Sequence, residues 1–386
     1  MTNNTKKRKV IVAIINRSDY SRTRSVIKVL LKRNDIETII TVLDSKYTNT
    51  SSVLKNDDLP VHHRVFISIN ERTRLKVALA ISEVTKAFAE IFDKEKPDIL
   101  VVLGDRYEVL GIVIAAVFQN IFVAHIQGGE VTGTHDENTR HAITKLSHLH
   151  FPATKLAGER IVKMGEDPNS VIVVGCPGTD MILEAPRLTF EELRYEIYKL
   201  TKRREILERL TPDFFLVMQF SVPTEIDEAK HQVVETLDAL SSFSQSKLIL
   251  TPIPDAGGDL VEETIREYEK RDSRVVVVKH LSPDLFANAM RLSKMMIGNS
   301  SAGIRETGYF GTPTINVGSR QNGREQSLNI KSAPHNKEAI ISAIKKQLEH
   351  PEYKVEMVYG DGGAGKRIVE ILASVDYSKI QKKLTY

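Results

Sequence analysis

The chain has 386 residues, of which 41% are hydrophobic and 27% are charged, and its formal net charge is +4 at pH 7. This length predicts two domains of about 150 to 200 residues rather than one core. The mild charge, with basic clusters that lack interleaved aromatic residues, argues against a nucleic-acid partner. Because no long apolar run and no N-terminal signal pattern occur, we expect a cytoplasmic protein with no membrane partner.

Cysteine and histidine usage predicts neither redox chemistry nor a metal site. Cys176 is the single cysteine and has no ligand partner at metal-binding spacing, so we interpret it as a small buried hydrophobic residue. His141, His148 and His150 fit an amphipathic helix and the strand after it, with no carboxylate or cysteine to complete a set of ligands. We expect no metal and no cofactor.

Short apolar runs alternate with amphipathic stretches in the first half of the chain. The stretches at 18–34 and 74–96 carry apolar residues at three- and four-residue spacing, which predicts helices. Alternating strands and helices are typical of a parallel sheet covered by helices. The predicted strands of this half span 10–15, 37–43, 98–104, 121–126, 149–154 and 171–175.

A strongly charged helical stretch at 189–210 separates this half from a second series of apolar runs. The second series predicts another parallel sheet. We therefore expect two doubly wound α/β domains, at 1–182 and 183–363. The predicted strands of the second half span 214–220, 246–253, 274–280, 294–301 and 313–318.

Polar residues follow several predicted strands directly, and ligands bind at the carboxyl ends of the strands in open parallel sheets. We therefore expect several of these residues to converge on a cleft between the domains. The stretch NRSDYSR offers Arg17 and Ser21, and LGDRYE places Asp105 after a buried strand, where Arg106 is expected to keep it ionised. Ordinary helix caps are the alternative in both stretches. No dinucleotide-type glycine pattern follows the first strand, which argues against NAD or FAD.

The densest group of ionisable side chains lies at 125–141, in HIQGGEVTGTHDENTRH. Glu130, Asp136 and Glu137 fall in a glycine-bearing loop that follows a predicted strand. Acid–base chemistry at carbon needs groups on opposite faces of the substrate, and this loop offers carboxylates for it. The glycines are expected to let the backbone approach a ligand closely. The alternative is a solvated loop in which Asp136 or Glu137 is an N-terminal helix charge.

A further motif, IGNSSAGIRETGYFGTPTIN, spans 297–316. Ser300 and Ser301 follow a predicted strand, and Glu306 is expected in the first turns of the next helix. Free N–H groups at such a helix start bind phosphate, while Glu306 is placed to accept hydrogen bonds from ribose hydroxyls. A simple N-cap is the alternative. The doubled serine and the later GSRQNGRE favour a nucleotide diphosphate site.

In this order the motifs resemble those of the hydrolysing UDP-N-acetylglucosamine 2-epimerases, both the bacterial sialic-acid-pathway enzymes and the epimerase half of the animal epimerase/kinase. The similarity extends over nearly the whole chain and includes GEDPNSVIVVGCP and YGDGGAGKRI. It implies an α/β fold of two Rossmann-like domains in a GT-B-type arrangement with UDP in the cleft. It also implies a last helix at 364–386 that packs on the N-terminal domain, and a homodimer or homotetramer.

The resemblance implies a reaction that needs no redox cofactor. The C2 proton of UDP-N-acetylglucosamine is removed as UDP leaves from C1, giving 2-acetamidoglucal. Water then adds at C1 while a proton returns to C2 from the other face, which releases N-acetylmannosamine. This product would enter sialic-acid-type nonulosonate and surface polysaccharide biosynthesis.

The resemblance also assigns roles to individual residues. The predicted catalytic or sugar-orienting residues are Asp105, Arg106, Gln127, Glu130, Asp136 and Glu137. The predicted contacts of UDP or the substrate are Arg17, Ser21, Phe220, Asp255, His280, Ser300, Ser301, Glu306 and Arg320.

Two positions depart from the family pattern. Gln127 stands where many relatives have the glutamate of HIEGGE, and an amide cannot carry a proton. Phe220 stands where many have the histidine of a QHP motif. A positioned general acid or base is typically worth about 100- to 10,000-fold in rate, so Phe220 is the more consequential departure.

Other functions stay open at this point. They are an epimerase for a diacetamido UDP-sugar, a non-hydrolysing epimerase, and a UDP-sugar-binding homologue with reduced turnover. The block GGEVTGT…RHAITKLSH favours the hydrolysing branch over the non-hydrolysing one. A glycosyltransferase on the same fold would need an acceptor site, which the sequence does not reveal.

Overall fold

The computed structural model describes residues 7–46, 49–68, 74–131, 136–251, 257–350 and 352–385. The chain divides into two compact units. The first takes in 1–130, 135–180 and 359–386, and the second is built from 181–358. Each unit contains one parallel sheet.

Strands and helices alternate through both units. The strands are β1 (Arg8–Ile14), β2 (Ile36–Ser45), β3 (His63–Ile67), β4 (Ile99–Leu103), β5 (Phe122–Ile126), β6 (Leu149–Phe151), β7 (Phe214–Met218), β8 (Ser246–Leu250), β9 (Val275–Val278), β10 (Met295–Gly298), β11 (Thr314–Val317) and β12 (Ile330–Ala333). The helices are α1 (Arg17–Leu30), α2 (Thr50–Asn56), α3 (Arg74–Glu95), α4 (Tyr107–Val117), α5 (Asp136–Leu146), α6 (Lys155–Lys163), α7 (Pro177–Glu184), α8 (Phe190–Thr201), α9 (Glu205–Arg209), α10 (Ala229–Ser241), α11 (Gly258–Arg271), α12 (Pro283–Leu292), α13 (Ser301–Arg305), α14 (Lys337–Glu349) and α15 (Ala364–Ser374).

The two sheets share one topology. The strand order is β3-β2-β1-β4-β5-β6 in the first sheet and β12-β11-β10-β7-β8-β9 in the second. Read from β9, the second order repeats the first, and both are the Rossmann order. The chain reverses direction across the sheet between β1 and β4, and again between β7 and β10. The prediction of an α/β protein with two Rossmann-like domains is therefore confirmed.

The central strands are buried on both faces, which explains their continuous apolar runs. Along β1, Val10 and Val12 pack into one core cluster, whereas Ile11 and Ala13 pack into the cluster on the opposite face. Every residue of β4 and β5 is buried. Strands of this type are recognisable from sequence because neither face needs polar residues.

The strand pattern differs from the prediction at three places. The edge strands β3 and β12 were not predicted, because only two residues of each are buried. Residues 171–175 were predicted to form a strand, and this was wrong. They run beside β6 with a single bridge between Val171 and His150, and Gly175 leaves the extended path at φ 90°.

The charged stretch at 189–210 forms two helices rather than the single one predicted. Thr189 and Glu192 make a capping box that begins α8. Lys202 ends α8 in the left-handed region at φ 57°, so the chain turns before α9 begins.

The C-terminal residues return to the first unit. The Asp180 carboxylate accepts hydrogen bonds from the backbone N–H groups of Ala364 at 3.1 Å and Gly365 at 2.7 Å, at the start of α15. Nearby, a Cβ atom on Gly175 would lie only 2.9 Å from the Cα atom of Gly360, so the two backbones touch. The helix α15 packs on α1 and ends at Ser374, earlier than the predicted helical end.

Candidate active site

The carboxyl ends of β1, β4 and β5 lie side by side at the switch point of the first sheet, where ligands bind in open parallel sheets. Asp19 lies in the first turn of the helix after β1, Asp105 follows β4, and Gln127 follows β5 directly. Each side chain has charged or polar neighbours from another of these segments, so the three loops form one polar group.

Arg140, in α5, is the cation that pairs with Asp105. Its guanidinium forms an ion pair with the Asp105 carboxylate and donates a 2.8 Å hydrogen bond to the main-chain carbonyl of Glu130. The Arg140 side chain is 1% exposed and the Asp105 side chain 28%, so Asp105 reaches the surface of the unit while its partner is buried. This role of Arg140 was not predicted from the sequence. A sequence signal for it exists: Arg140 lies three residues before Ile143 and four before Thr144, which is the spacing of one helix face, and all three are buried.

Arg106 has a different partner from the one expected. Its guanidinium makes two hydrogen bonds to the Glu108 carboxylate, at 2.7 and 3.0 Å. Although burial alone would lower it, the Glu108 carboxylate raises the pKa of Arg106 above its usual range. Arg140, rather than the expected Arg106, therefore forms the ion pair with Asp105.

Asp19 is a buried carboxyl group that the sequence reasoning did not select. It is 3% exposed, and its Oδ1 accepts a 3.3 Å hydrogen bond from Arg22. Within the described part of the chain, no hydrogen-bond partner reaches its Oδ2. Burial raises the pKa of Asp19 to about 6, against the lowering effects of Arg22 and Arg106. Asp19 is thus a carboxyl group that changes charge near neutral pH.

Gln127 is held between a cation and a thiol. Its Oε1 accepts a 3.2 Å hydrogen bond from Arg22, and its Nε2 lies 2.9 Å from the Sγ of the buried Cys176. The residue is 2% exposed and its backbone is left-handed, with φ 64°. Such a conformation costs a residue with a side chain roughly 1 kcal/mol or more, and it turns the chain sharply at the strand end.

Gly128 and Gly129, which follow Gln127, leave little room for a Cβ atom because other protein atoms lie close to them. A Cβ atom on Gly129 would lie 2.2 Å from the carbonyl oxygen of Ala157 in α6. A Cβ atom on Gly128 would lie 3.0 Å from the ring of His125. That ring hydrogen-bonds the Gly104 carbonyl at 2.8 Å, and burial lowers its pKa to about 3, so it stays neutral.

The other predicted residues of the first unit lie at helix starts. Arg17 is the first residue of α1 and is exposed, and the Ser21 hydroxyl donates to the Ser18 carbonyl at 2.9 Å. In the first turn of α5, a carboxylate oxygen of Glu137 lies 3.4 Å from the His141 ring. Asp136 begins α5, and its side chain lies outside the described residues.

In the second unit, Phe220 and Arg320 meet at the switch point between β7 and β10. Phe220 is 8% exposed, and the Arg320 guanidinium lies over its ring at 5.0 Å. Asn299, which follows β10, connects the loop after β7 to the loop after β11. Its side chain makes 2.8 Å hydrogen bonds with the backbone N–H and carbonyl of Phe220. Its main-chain carbonyl accepts a 3.1 Å hydrogen bond from Arg320. Arg320 is therefore presented on an aromatic platform.

The serine motif forms a shorter helix than predicted. The helix α13 has five residues, and Glu306 lies at its C-terminal end rather than in its first turns. The Ser300 hydroxyl accepts a hydrogen bond from the Ala302 N–H, which is the N-cap alternative, and Ser301 begins the helix. The exposed His280 follows β9, and Asp255 lies outside the described residues.

Two general features concern metals and membranes. Over the described ranges, no group of three or more His, Cys, Asp or Glu side chains is arranged to hold a metal ion. Over the same ranges, no helix is both long enough and apolar enough to cross a membrane.

Comparisons with known proteins agree with this architecture. The family model for UDP-N-acetylglucosamine 2-epimerase matches residues 28–373. A Legionella pneumophila protein named UDP-N,N'-diacetylbacillosamine 2-epimerase (hydrolyzing) is 35% identical over 97% of this chain and 98% of its own. The Escherichia coli polysialic acid biosynthesis protein P7 is 29% identical over 87% of this chain and 85% of its own. The crystal structure of the Neisseria meningitidis UDP-GlcNAc 2-epimerase bound to UDP-GlcNAc has the same fold, with a TM-score of 0.78 at 19% identity over 95% of this chain and 100% of that one. The chain therefore belongs to the UDP-N-acetylglucosamine 2-epimerase family, as its motifs predict.

Proposed function

We propose that this protein is a hydrolysing 2-epimerase that converts a UDP-2-acetamido-sugar and water into UDP and the free 2-epimeric amino sugar. One observation carries the proposal: the buried guanidinium of Arg140 holds the Asp105 carboxylate and the main chain of Glu130 at the ends of neighbouring strands. A carboxylate fixed at a switch point, yet still partly exposed, suits proton transfer at carbon.

The proposed reaction has two stages. A carboxylate takes the proton from C2, the C2–H electron pair forms the C1–C2 double bond, and the C1–O bond breaks with its electrons leaving on UDP. Water then adds its oxygen to C1 of the 2-acetamidoglucal, and a proton returns to C2 on the opposite face. Because an amide cannot exchange this proton, the transfers are assigned to the four carboxylates Asp105, Glu130, Asp136 and Glu137 rather than to Gln127.

The nucleotide is assigned to the carboxyl edge of the second sheet. Ser300 and Ser301 offer hydroxyl groups there, and Arg320 offers a cation for phosphate oxygens. Phe220 supports that guanidinium with its ring face. Phe220 would therefore orient the Arg320 guanidinium, whereas a histidine at the same position could transfer a proton.

Two sugars are candidates, and the diacetamido sugar is preferred. The relative that is 35% identical over nearly the whole chain is named for hydrolysing UDP-N,N'-diacetylbacillosamine, which favours a UDP-2,4-diacetamido sugar. UDP-N-acetylglucosamine is the second candidate, supported by the sialic-acid-pathway motifs and by the similarity to protein P7.

A single experiment tests both the reaction and the sugar. The protein is incubated with each UDP-sugar in deuterated water and followed by proton NMR, with D105N as the control. Free 2-epimer that carries deuterium at C2 is expected from the wild type, together with UDP. A UDP-linked epimer would contradict hydrolysis, and saturable UDP binding without deuterium exchange would contradict an enzymatic function.

A further inference from the structure

The segment that follows α15 ends on the C-terminal turn of α5. The ammonium group of Lys382 lies 2.7 Å from the carbonyl oxygen of Lys145 and 3.4 Å from that of Thr144, and it also contacts the carbonyl of Ser147. Carbonyl groups in the last turn of a helix lack most of their intrahelical donors, and the helix dipole favours a cation there. Lys382 therefore caps α5 from a part of the chain more than two hundred residues away in sequence.

A buried carboxylate strengthens this contact. Glu166 is 2% exposed and accepts from Lys382 at 2.6 Å, from Lys145 at 2.6 Å and from the His150 ring at 3.1 Å. Although burial alone would raise it, the hydrogen bonds from these three groups lower the pKa of Glu166 to about 2. The carboxylate is thus ionised at neutral pH and joins the C-terminal segment to the last turn of α5.

Two neighbouring contacts hold the same segment. The His148 ring accepts from the Val123 N–H at 3.0 Å through Nδ1, so its Nε2 carries the proton and donates to the Ile380 carbonyl at 3.0 Å. The Thr385 hydroxyl lies 3.3 Å from the carbonyl of Glu166. Lys382 is therefore presented to α5 by a segment anchored on both sides of it.

The same helix carries candidate catalytic groups at its other end. Arg140 lies five residues before Lys145, which is about 7.5 Å along a helix axis. A helix moves as a rod over this distance, so a shift at its C-terminal end displaces the guanidinium that pairs with Asp105.

We propose that Lys382 is a positioning residue for this active site: by fixing the last turn of α5 through the Glu166 carboxylate, it sets the position of Arg140 against Asp105. The inference rests on the proposed function. It predicts an effect on the chemical step and little effect on UDP binding, since Lys382 and α5 belong to the first unit, whereas the UDP contacts are assigned to the sheet of the second unit.

The test compares K382M with K383M, since Lys383 is an exposed neighbour with the same charge. We expect K382M to lower kcat by about 10- to 100-fold, because small misplacements of orienting groups have effects of this size. The affinity for UDP, measured by calorimetry, should change by less than about twofold, and K382R should restore most of kcat because it keeps a positive charge at the C-terminal end of α5. The control K383M should match the wild type. E166Q, which removes the charge that Lys382 meets, should lower kcat in the same way.

Amide hydrogen exchange supplies a readout that needs no substrate. K382M should speed exchange along α5, from its last turn to Arg140, whereas K383M should not. A K382M protein with a lower melting temperature but wild-type kcat and wild-type exchange in α5 would overturn the inference. If the wild type itself releases no free amino sugar, the proposed function fails, and the exchange data alone decide whether Lys382 positions α5.

Discussion

Replacing Asp19 by asparagine should make the protein more stable at neutral pH and leave its acid stability nearly unchanged. Burial raises the pKa of Asp19 from 3.8 to about 6, even with Arg22 and Arg106 nearby, while Asp105 and Glu108 raise it further. A difference of this size corresponds to about 3 kcal/mol of unfolding free energy.

The sign follows from where the proton is bound. Between these two pKa values the folded protein holds a proton on Asp19 that the unfolded chain has released, so the carboxyl group favours folding at low pH. That contribution is lost as the pH rises through about 6. Asparagine has the same shape and no charge, so D19N avoids the loss.

The assay is urea unfolding followed by circular dichroism, from about pH 4 to about pH 8. The difference in unfolding free energy between D19N and the wild type should grow by about 2.4 kcal/mol over this range, because the unfolded carboxyl group is already partly ionised at the acid end. D238N removes the same charge from an exposed site on α10 and serves as the control. A D19N difference that stays constant with pH would show that Asp19 is already ionised in the folded protein throughout, which would contradict its raised pKa.

Three further substitutions address the reaction. R140K should lower kcat/KM by about 100-fold, because lysine keeps the charge but cannot reproduce two directed hydrogen bonds; steady-state kinetics that match the wild type would contradict this role for Arg140. Q127E should raise kcat and add an acidic limb to its pH profile by restoring a titratable group; an unchanged profile would mean that Gln127 does not limit the rate. F220L should weaken UDP binding by about 2- to 30-fold in calorimetry, through loss of the ring beneath Arg320, and unchanged affinity would exclude that contact.

The fold was predictable where burial dictates the sequence. Central strands such as β4 are apolar throughout because both faces are covered, and β5 is apolar except for the buried His125. The edge strand β12 presents Lys331 and Ser332 to solvent, so its short pattern resembles a loop. The break at Lys202 has no signal in a charged stretch, since lysine is not a residue that favours the left-handed conformation it adopts there.

The sequence identified the segments that form the candidate site, but not which side chains pair with each other within it. A carboxylate after a buried strand identified Asp105 as a candidate. Its partner Arg140 lies 35 residues later, and the packing of α5 against α4 and β5 brings them together. For Asp19, the sequence shows an ordinary first-turn acid, and its raised pKa comes from burial that no local pattern encodes.

The return of the C-terminal residues to the first unit, where Gly360 touches Gly175, affects the order in which the two units can fold during synthesis. The first unit is interrupted in sequence by residues 181–358, so its helix α15 emerges from the ribosome only after the second unit has been made. At roughly 5 to 20 residues per second, this delay is on the order of 10 to 40 s. During this time the surface of α1 that α15 covers stays open, and residues 181–358 of the second unit are completed before any residue of α15 is made. We therefore expect the C-terminal unit to complete its fold first on the ribosome, reversing the usual order of synthesis-coupled folding.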